Sequence, residues 1–307
     1  MGEIAQLDMF TISALDPPWR DNRDAMEYPF LSLQKGRTTA ITFRSENVSV
    51  EVQAPQKYGL ASIWDWDLII FAASHLNDAI EAGHKPSPRI RFVPHDCLKQ
   101  LGRGTGGKDY RELVQTIRRL RMTTIITNIR TDDESGEERP FSWITDYRIP
   151  KRYKTGTLTP DDHEGNPDPA LPWEIELPAW LYNSILRRRE ILAVHPDYFQ
   201  LSGGLERWLY RLARKSVPDK GESPAIHWRM ETLHQRSGTT RPLKSFALDI
   251  RRMAERQPLP EYGLMVKQSG KHELVILYRD KAKPRRLPRG LEPLVFPKSA
   301  KTSTGPG

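Results

Sequence analysis

The chain repeats one helical segment, and this repeat limits the possible folds more than any other feature of the sequence. At an offset of 133 residues, the segment Ile117-Arg118-Arg119-Leu120 aligns with Ile250-Arg251-Arg252-Met253. Each copy predicts an amphipathic helix with one apolar stripe and a positively charged opposite face. The apolar pairs are Tyr110/Leu243, Leu113/Phe246, Val114/Ala247, Ile117/Ile250 and Leu120/Met253, and the basic pairs are Lys108/Arg241, Arg111/Lys244, Arg118/Arg251 and Arg119/Arg252.

The segments around the two helices also follow one order. A short strand, a short helix and a turn of small residues precede each copy, with the turn over residues 102–107 in the first half and 237–240 in the second. Two strands joined by a tip follow each copy. This is the order of a winged helix-turn-helix, whose second helix enters the major groove of DNA. We therefore predict an α+β fold with two tandem winged helix-turn-helix domains and an N-terminal β-hairpin over residues 35–53.

Composition along the chain predicts the domain boundaries. We expect a flexible lead over residues 1–25 and the first winged-helix domain, with its hairpin, over residues 26–150. A stretch rich in Pro, Asp and Gly over residues 151–172 is predicted to be a linker or surface loop. The second winged-helix domain is expected over residues 173–280, and a basic, disordered tail over residues 281–307.

The charge balance favours a polyanionic partner. Lys and Arg together number 47 against 39 Asp and Glu, which gives a net charge of +8. The single cysteine, Cys97, excludes an internal disulfide and a thiolate-rich zinc site. No apolar run approaches the roughly 20 residues that cross a bilayer, and no secretory signal is visible. We therefore expect a cytoplasmic protein without membrane contact.

Basic residues near the start of the repeated helices suit a DNA contact, because each neutralised phosphate releases counterions and because Arg and Lys reach guanine O6 and N7. We expect the early residues to face bases and the later arginines to face phosphates. Successive helical residues are about 100° apart, so at least one arginine of each Arg-Arg pair should bind phosphate or a group within the protein. The predicted DNA-binding residues are Thr105, Lys108, Arg111, Gln115, Arg118, Arg119, Thr239, Thr240, Arg241, Lys244, Ser245, Arg251, Arg252, Lys267 and Lys271.

The two tips that follow the helices differ in charge. The first tip carries five acidic residues and is not expected to approach phosphate, whereas the second is basic. We therefore expect only the second tip to touch DNA. The acidic residues are Asp132, Asp133, Glu134, Glu137 and Glu138, and the second tip carries Lys267, Lys271 and His272.

Two other motifs resemble a nucleotide-binding loop and a metal site, but each lacks a residue that such a site needs. Residues 102–108 fit G-x-x-x-x-G-K, but Asp109 stands where a phosphate-binding loop needs Ser or Thr for Mg²⁺. We interpret this segment as the mobile turn of the first helix-turn-helix. His84, His95 and Cys97 lack a fourth ligand at a familiar spacing, so no metal is expected.

Two further residue types look functional and have a simpler interpretation. The clustered acidic residues lie in loops rich in Gly and Pro, which is typical of solvated loops and not of a nuclease. Tryptophans at helical spacing among Leu and Ile are interpreted as core, not as platforms for single strands. They are Trp64, Trp66, Trp180 and Trp208. We therefore expect no catalytic residues and no cofactor.

Five segments carry a resemblance to a known family. They are Met26-Glu27-Tyr28-Pro29-Phe30-Leu31-Ser32-Leu33, Ala61-Ser62-Ile63-Trp64-Asp65-Trp66-Asp67, Thr123-Thr124-Ile125-Ile126-Thr127-Asn128-Ile129, the Gly-Gly-Leu-Glu-Arg-Trp run that continues to Lys215, and Asp249-Ile250-Arg251-Arg252 running to Tyr262. In these segments the chain resembles the plasmid replication initiator protein A family, related to iteron-binding initiators with paired winged helices.

The resemblance implies a non-enzymatic protein that binds directly repeated sites in double-stranded DNA at a plasmid origin. It further implies opening of an adjacent A·T-rich region and recruitment of the host initiator and the replicative helicase. Related initiators repress their own promoters as dimers, so the resemblance is also compatible with a homodimer. Two alternatives remain: a transcriptional repressor without initiator activity, and an enzyme that hydrolyses nucleotides or nicks DNA.

Overall fold

The computed structural model describes residues 9–12, 17–129, 140–152, 166–187, 190–219 and 225–280. The acidic tip, most of the predicted linker and the basic tail lie outside the described residues. Within the described ranges no helix has the length and apolarity that a membrane span requires.

The predicted N-terminal hairpin is present. It is preceded by two short strands, β1 (Phe10–Thr11) and β2 (Arg20–Asn22), and consists of β3 (Ile41–Arg44) and β4 (Ser49–Gln53). β3 and β4 pair antiparallel, with Ile41 opposite Val52 and Arg44 opposite Ser49. Apolar side chains alternate toward the core, as expected for a strand with one buried face.

The predicted flexible lead is partly ordered. β1 pairs in parallel with a strand of the first winged-helix domain, and Asp21 of β2 is buried. The sequence pattern misses this because an isolated buried carboxylate has no periodicity. Only its partner, described below, explains its position.

The first winged-helix unit follows the predicted order. Its elements are α1 (Trp66–Glu81), β5 (Arg89–Phe92), α2 (Pro94–Gln100), α3 (Gly107–Met122), β6 (Thr124–Thr127) and β7 (Phe141–Ser142). β6 lies between β4 and β7, so the hairpin and the wing form one four-stranded sheet.

The second of the two strands predicted after the first repeated helix is divided in the structure. The chain divides into β7 and β8 (Asp146–Arg148), which belong to different sheets. Between them Trp143 and Ile144 are both fully buried. Two consecutive buried side chains break the alternation of a strand, and the chain therefore changes sheet at this point.

A second four-stranded sheet joins the two halves of the chain. β9 (Lys151–Arg152) and β10 (Asn166–Pro167) form a small ladder, and then β11 (Trp173–Glu176) pairs antiparallel with β5. The structure thus differs from the prediction, which assigns β11 to the second domain. Opposite charges face each other across these strands, with Arg89 2.5 Å from Glu176 and Arg91 2.6 Å from Glu174.

The second winged-helix unit repeats the order of the first. Its elements are α5 (Gly204–Ser216), β13 (Ala225–Arg229), α6 (Met230–Arg236), α7 (Leu243–Arg256), β14 (Tyr262–Ser269) and β15 (His272–Arg279), preceded by α4 (Ala179–Leu186), β12 (Ile191–Ala193) and a 3₁₀ helix (Pro196–Gln200). The three strands of this unit form one sheet in the order β13-β15-β14. The predicted α+β architecture with two winged-helix units is confirmed.

The repeated helices bury equivalent residues. In α3 these are Leu113, Val114, Ile117 and Leu120, and in α7 they are Phe246, Ala247, Ile250 and Met253. Each stripe packs in the hydrophobic core, whose burial supplies the main stabilising free energy. The offset found in the sequence therefore aligns structurally equivalent positions. Arg241, which aligns with Lys108 of α3, lies two residues before α7, because Pro242 takes a non-helical conformation at the N-cap and the helix begins at Leu243.

The two units meet through their equivalent helices, α1 and α5. Arg207 of α5 binds the buried Asp67 of α1 at 2.7 Å, and Arg211 binds the buried Asp21 of β2 at 2.6 Å. Gly204, the first residue of α5, lies so close to Leu33 that an added Cβ would stand 2.2 Å from the Leu33 carbonyl oxygen. The units are therefore closely packed at Gly204 and joined by buried ion pairs.

Candidate nucleic-acid interface

The turn before α3 is closed by Asp109. Its carboxylate accepts a hydrogen bond from the Gly106 backbone N–H at 3.0 Å, which makes it part of the N-terminal cap of the helix. A Cβ on Gly104 would lie 2.6 Å from this carboxylate, so the glycine is needed for the close approach. Asp109 thus has a structural role at the position where a nucleotide-binding loop would hold Mg²⁺.

The turn and the first part of α3 expose a row of polar and basic side chains. Thr105, Lys108 and Arg111 are exposed, and Gln115 and Arg118 are half-buried. They face away from the buried stripe of the helix. The side chains predicted to approach DNA in the first unit are accordingly accessible, with one exception.

Arg119 is that exception. Its guanidinium donates to both carboxylate oxygens of the buried Asp65, at 3.0 and 2.7 Å, and to Glu112 at 2.6 Å. Burial alone would lower the pKa of this guanidinium, but the hydrogen bond and charge of Asp65 raise it above its ordinary value. Arg119 therefore binds within the protein, as the 100° rotation between successive helical residues allows for one member of the pair.

The turn before α7 is held by hydrogen bonds between residues close in the sequence. The backbone N–H of Thr239 donates to the Ser237 hydroxyl at 3.2 Å, and that of Arg241 donates to the Thr239 hydroxyl at 3.2 Å. The carbonyl oxygen of Arg241 lies 2.7 Å from His234 Nε2. These bonds fix the backbone from which Thr240 and Arg241 extend into solvent.

α7 exposes a basic face, and its residues have different partners. Lys244 and Arg252 are exposed, Ser245 is half-buried, and Arg241 forms an exposed ion pair with Asp249 at 3.1 Å. Among the described residues Lys244 and Arg252 have no ion-pair partner. Both therefore keep an uncompensated charge at the surface.

Arg251 connects α7 to the wing. Its guanidinium donates to both carboxylate oxygens of Glu273 in β15, at 3.0 and 2.6 Å. This hydrogen bond raises the pKa of Arg251 above its ordinary value. Lys267 and Lys271 are exposed on either side of the β14–β15 turn, where Gly270 takes a left-handed φ of +59°. The bond orients the basic wing relative to α7.

Sequence reasoning missed the residue that joins the second turn to the first unit. Arg37, in the loop before β3, donates to the Gly238 carbonyl oxygen at 2.5 Å and to the Ala40 carbonyl oxygen at 2.8 Å. Gly238 has φ +62°, and a Cβ there would lie 2.6 Å from Pro29. Arg37 lies in no periodic segment, so no local signal points to it.

A cleft of about 460 Å³ lies between the 33–34 segment, the start of α5 and α7. It brings together Thr239, Arg241 and Arg252 of the predicted set, and adds Arg256. Of the other predicted residues of the second unit, Lys267 and Lys271 lie at the wing, and Thr240, Lys244, Ser245 and Arg251 lie on or just before α7, outside the cleft lining. Within the described part of the chain no group of His, Cys, Asp and Glu could hold a metal ion.

The tryptophans are placed much as expected. Trp66 and Trp208 are buried in the core. Trp64 and Trp180 are half-buried and pack against it, and Trp180 stacks on Phe141 with ring centroids 5.1 Å apart.

Three comparisons relate the chain to known proteins. The family model described as "Replication initiator protein A" matches residues 20–264. A "Putative replication protein" of Wigglesworthia glossinidia brevipalpis is 30% identical over 247 residues, which cover 80% of this chain and 84% of that protein.

Solved structures with a similar fold include two of RctB domains 2 and 3. The first, a selenomethionine derivative, has a TM-score of 0.58 at 12% identity and covers 84% of this chain and 97% of that one. The second has a TM-score of 0.54 at 12% identity and covers 84% and 96%. The Pi initiator protein, solved in complex with iteron DNA, has a TM-score of 0.47 at 16% identity and covers 80% and 99%.

Proposed function

Because the chain belongs to the replication initiator protein A family, we propose that it binds specific double-stranded DNA sites at a plasmid origin and starts replication there. α3 and α7 would each enter a major groove, as the second helix of a helix-turn-helix does. The two units would read successive grooves on one face of the duplex.

One observation carries this proposal. At equivalent positions of the two helices four apolar residues are buried, and the first two basic residues of each repeat are exposed. The exposed pairs are Lys108 with Arg241 and Arg111 with Lys244, at the start of each helix. Among the described residues Lys244 has no ion-pair partner, and Arg241 has only an exposed pair with Asp249. Both can therefore bind phosphate or donate to guanine, so the same surface would supply affinity and base recognition.

The wing of the second unit would add a backbone contact. Lys267 and Lys271 are exposed at its turn, and the bond between Arg251 and Glu273 fixes the wing against α7. In this arrangement Arg251 supports the wing and Arg252 binds phosphate. Arg119 supports the first unit from within and is left out of the proposed contact surface.

The proposed role is non-enzymatic. The segment that resembles a nucleotide-binding loop uses Asp109 to cap α3, which supports a structural role for the turn. The proposal includes opening of an A·T-rich region of the origin and recruitment of the host initiator and the replicative helicase. It also includes a homodimer that represses the initiator's own promoter.

A footprint on the plasmid origin tests the proposal directly. The full chain is titrated onto a supercoiled origin fragment at several salt concentrations, with DNase I and permanganate as probes. We expect protection of repeated sites, an affinity that falls by about 0.9 log units per log unit of salt for each phosphate contact, and permanganate-reactive thymines beside the repeats. Protection without reactive thymines would indicate a repressor, and absence of protection would refute DNA binding.

Nicking or nucleotide hydrolysis is measured on the same fragment with Mg²⁺ and ATP. We expect neither product. Either activity would favour the enzymatic alternative.

A further inference from the structure

Leu248 is an apolar side chain in an unexpected place. It lies in the middle of α7 and is 44% exposed. The buried residues of this helix, Phe246, Ile250 and Met253, are on the opposite side, because successive residues turn by about 100°. Leu248 therefore occupies the centre of the outward face.

Three cations lie within one turn of this leucine. Lys244 is one turn before it, and Arg251 and Arg252 are one turn after it, all of them exposed. Residues three and four positions apart are neighbours on a helix surface, so the three cations frame Leu248. A protein-binding patch would gather further apolar residues at this position, whereas these neighbours favour an anionic partner.

A duplex offers one apolar group where the centre of such a helix would lie. The edges of bases in the major groove carry hydrogen-bonding groups, except for the 5-methyl group of thymine. Contact with this methyl group would remove Leu248 from water while Lys244 and Arg252 bind phosphates or guanine. Burial of apolar surface makes this contact favourable.

We propose that Leu248 contacts the 5-methyl group of a thymine and so determines one base of the recognised site. The inference rests on the proposed function, since it requires α7 to lie in the major groove. It adds a specificity-determining residue that the basic surface alone does not supply.

The equivalent residue of the first unit sharpens the inference. The offset of the repeat, from 248 back to 115, places Gln115 at the centre of the outward face of α3. Glutamine can bind adenine through N6 and N7, whereas leucine cannot. The two units therefore read different bases, and the site bound by one chain is asymmetric.

The test replaces the methyl group and the leucine separately. Duplexes that bind the full-length chain are selected from a random pool, and each thymine of a selected duplex is then replaced by uracil, which lacks only the 5-methyl group. For the wild-type chain we expect uracil at one thymine to weaken binding about three- to tenfold. The Leu248→Ala variant should bind the thymine and uracil duplexes equally.

A control variant separates this effect from a general loss of an exposed leucine. Leu171, which is 49% exposed before β11, is replaced in Leu171→Ala. This variant should keep the thymine preference of the wild type. Thermal unfolding of both variants verifies that they fold, which is expected because neither leucine is buried.

Three results would overturn the inference. If no thymine of the selected duplexes responds to uracil, or if Leu248→Ala keeps the full preference, Leu248 does not contact a thymine methyl group, and the proposed function is unaffected. If no duplex is selected at all, the proposed function fails together with the inference.

Discussion

Helices α5 and α7 are both amphipathic and rich in arginine, yet only α7 directs its cations to solvent. Arg207, Arg211 and Arg214 of α5 are buried, whereas Arg251 and Arg252 of α7 are exposed. The difference arises from carboxylates elsewhere in the chain, since Asp21 and Asp67 meet α5 inside the protein. A basic helix is therefore available to a polyanion only if the fold leaves it without buried acidic partners.

The largest expected effect concerns the buried pair of α5. Replacing Arg211 by Ala leaves the Asp21 carboxylate buried without its cation, and we expect a loss of about 3–5 kcal/mol in the free energy of unfolding. Urea denaturation of the full chain measures this loss. Lys244→Ala removes one charge from exposed α7 and serves as the matched control, with no comparable loss. Equal stability of the two variants would contradict the contrast between the helices.

The next effect concerns the start of α7. Arg241→Ala and Lys244→Ala should each reduce the affinity for a selected duplex by about 1–3 kcal/mol if these residues read bases, with smaller losses on unrelated duplexes. Fluorescence anisotropy with both duplexes measures the difference. Wild-type affinity in both variants would exclude the start of α7 from the DNA contact.

A phosphate contact gives a different result from a base contact. Arg252→Ala should weaken binding to all duplexes alike and reduce the salt slope by about one unit. The affinity is measured over a salt series for the selected duplex and an unrelated one. A loss confined to the selected duplex would instead assign base reading to Arg252.

The smallest expected effect belongs to the exposed pair between Arg251 and Glu273. Because this pair is at the surface, Arg251→Ala should reduce the free energy of unfolding by less than about 1 kcal/mol. The same urea denaturation measures it, with Glu273→Gln as the companion variant. A loss as large as that of Arg211→Ala would show that exposure does not distinguish the two helices.

Periodicity predicts the parts of the fold that depend on local pattern. The two amphipathic helices, the N-terminal hairpin and the order of the winged units are confirmed, because each leaves a repeating signal of apolar residues. The family resemblance, carried by short segments that include the buried Trp66 and Gly204, is also confirmed.

Long-range pairing is the part that local pattern does not predict. The partners of Arg119 and Arg211 lie far away in the sequence, and the alternation of β11 gives no indication that it pairs with β5. Charge and spacing predict the candidate surface, but the internal position of Arg119 depends on its distant contact with Asp65. The position of Leu248 on this surface follows only from the exposure of its side chain in the structure.

The pairing of β11 with β5 has a consequence for how the protein can be divided. A fragment that ends at residue 150 would contain β5 without the strand that covers it, leaving the backbone of Arg89–Phe92 open along one edge. A fragment that begins at residue 173 would carry β11 without its partner. Synthesis of the chain must therefore pass Glu176 before the sheet that contains β5 can close, and a cut between residues 150 and 173 leaves an unpaired strand in both fragments.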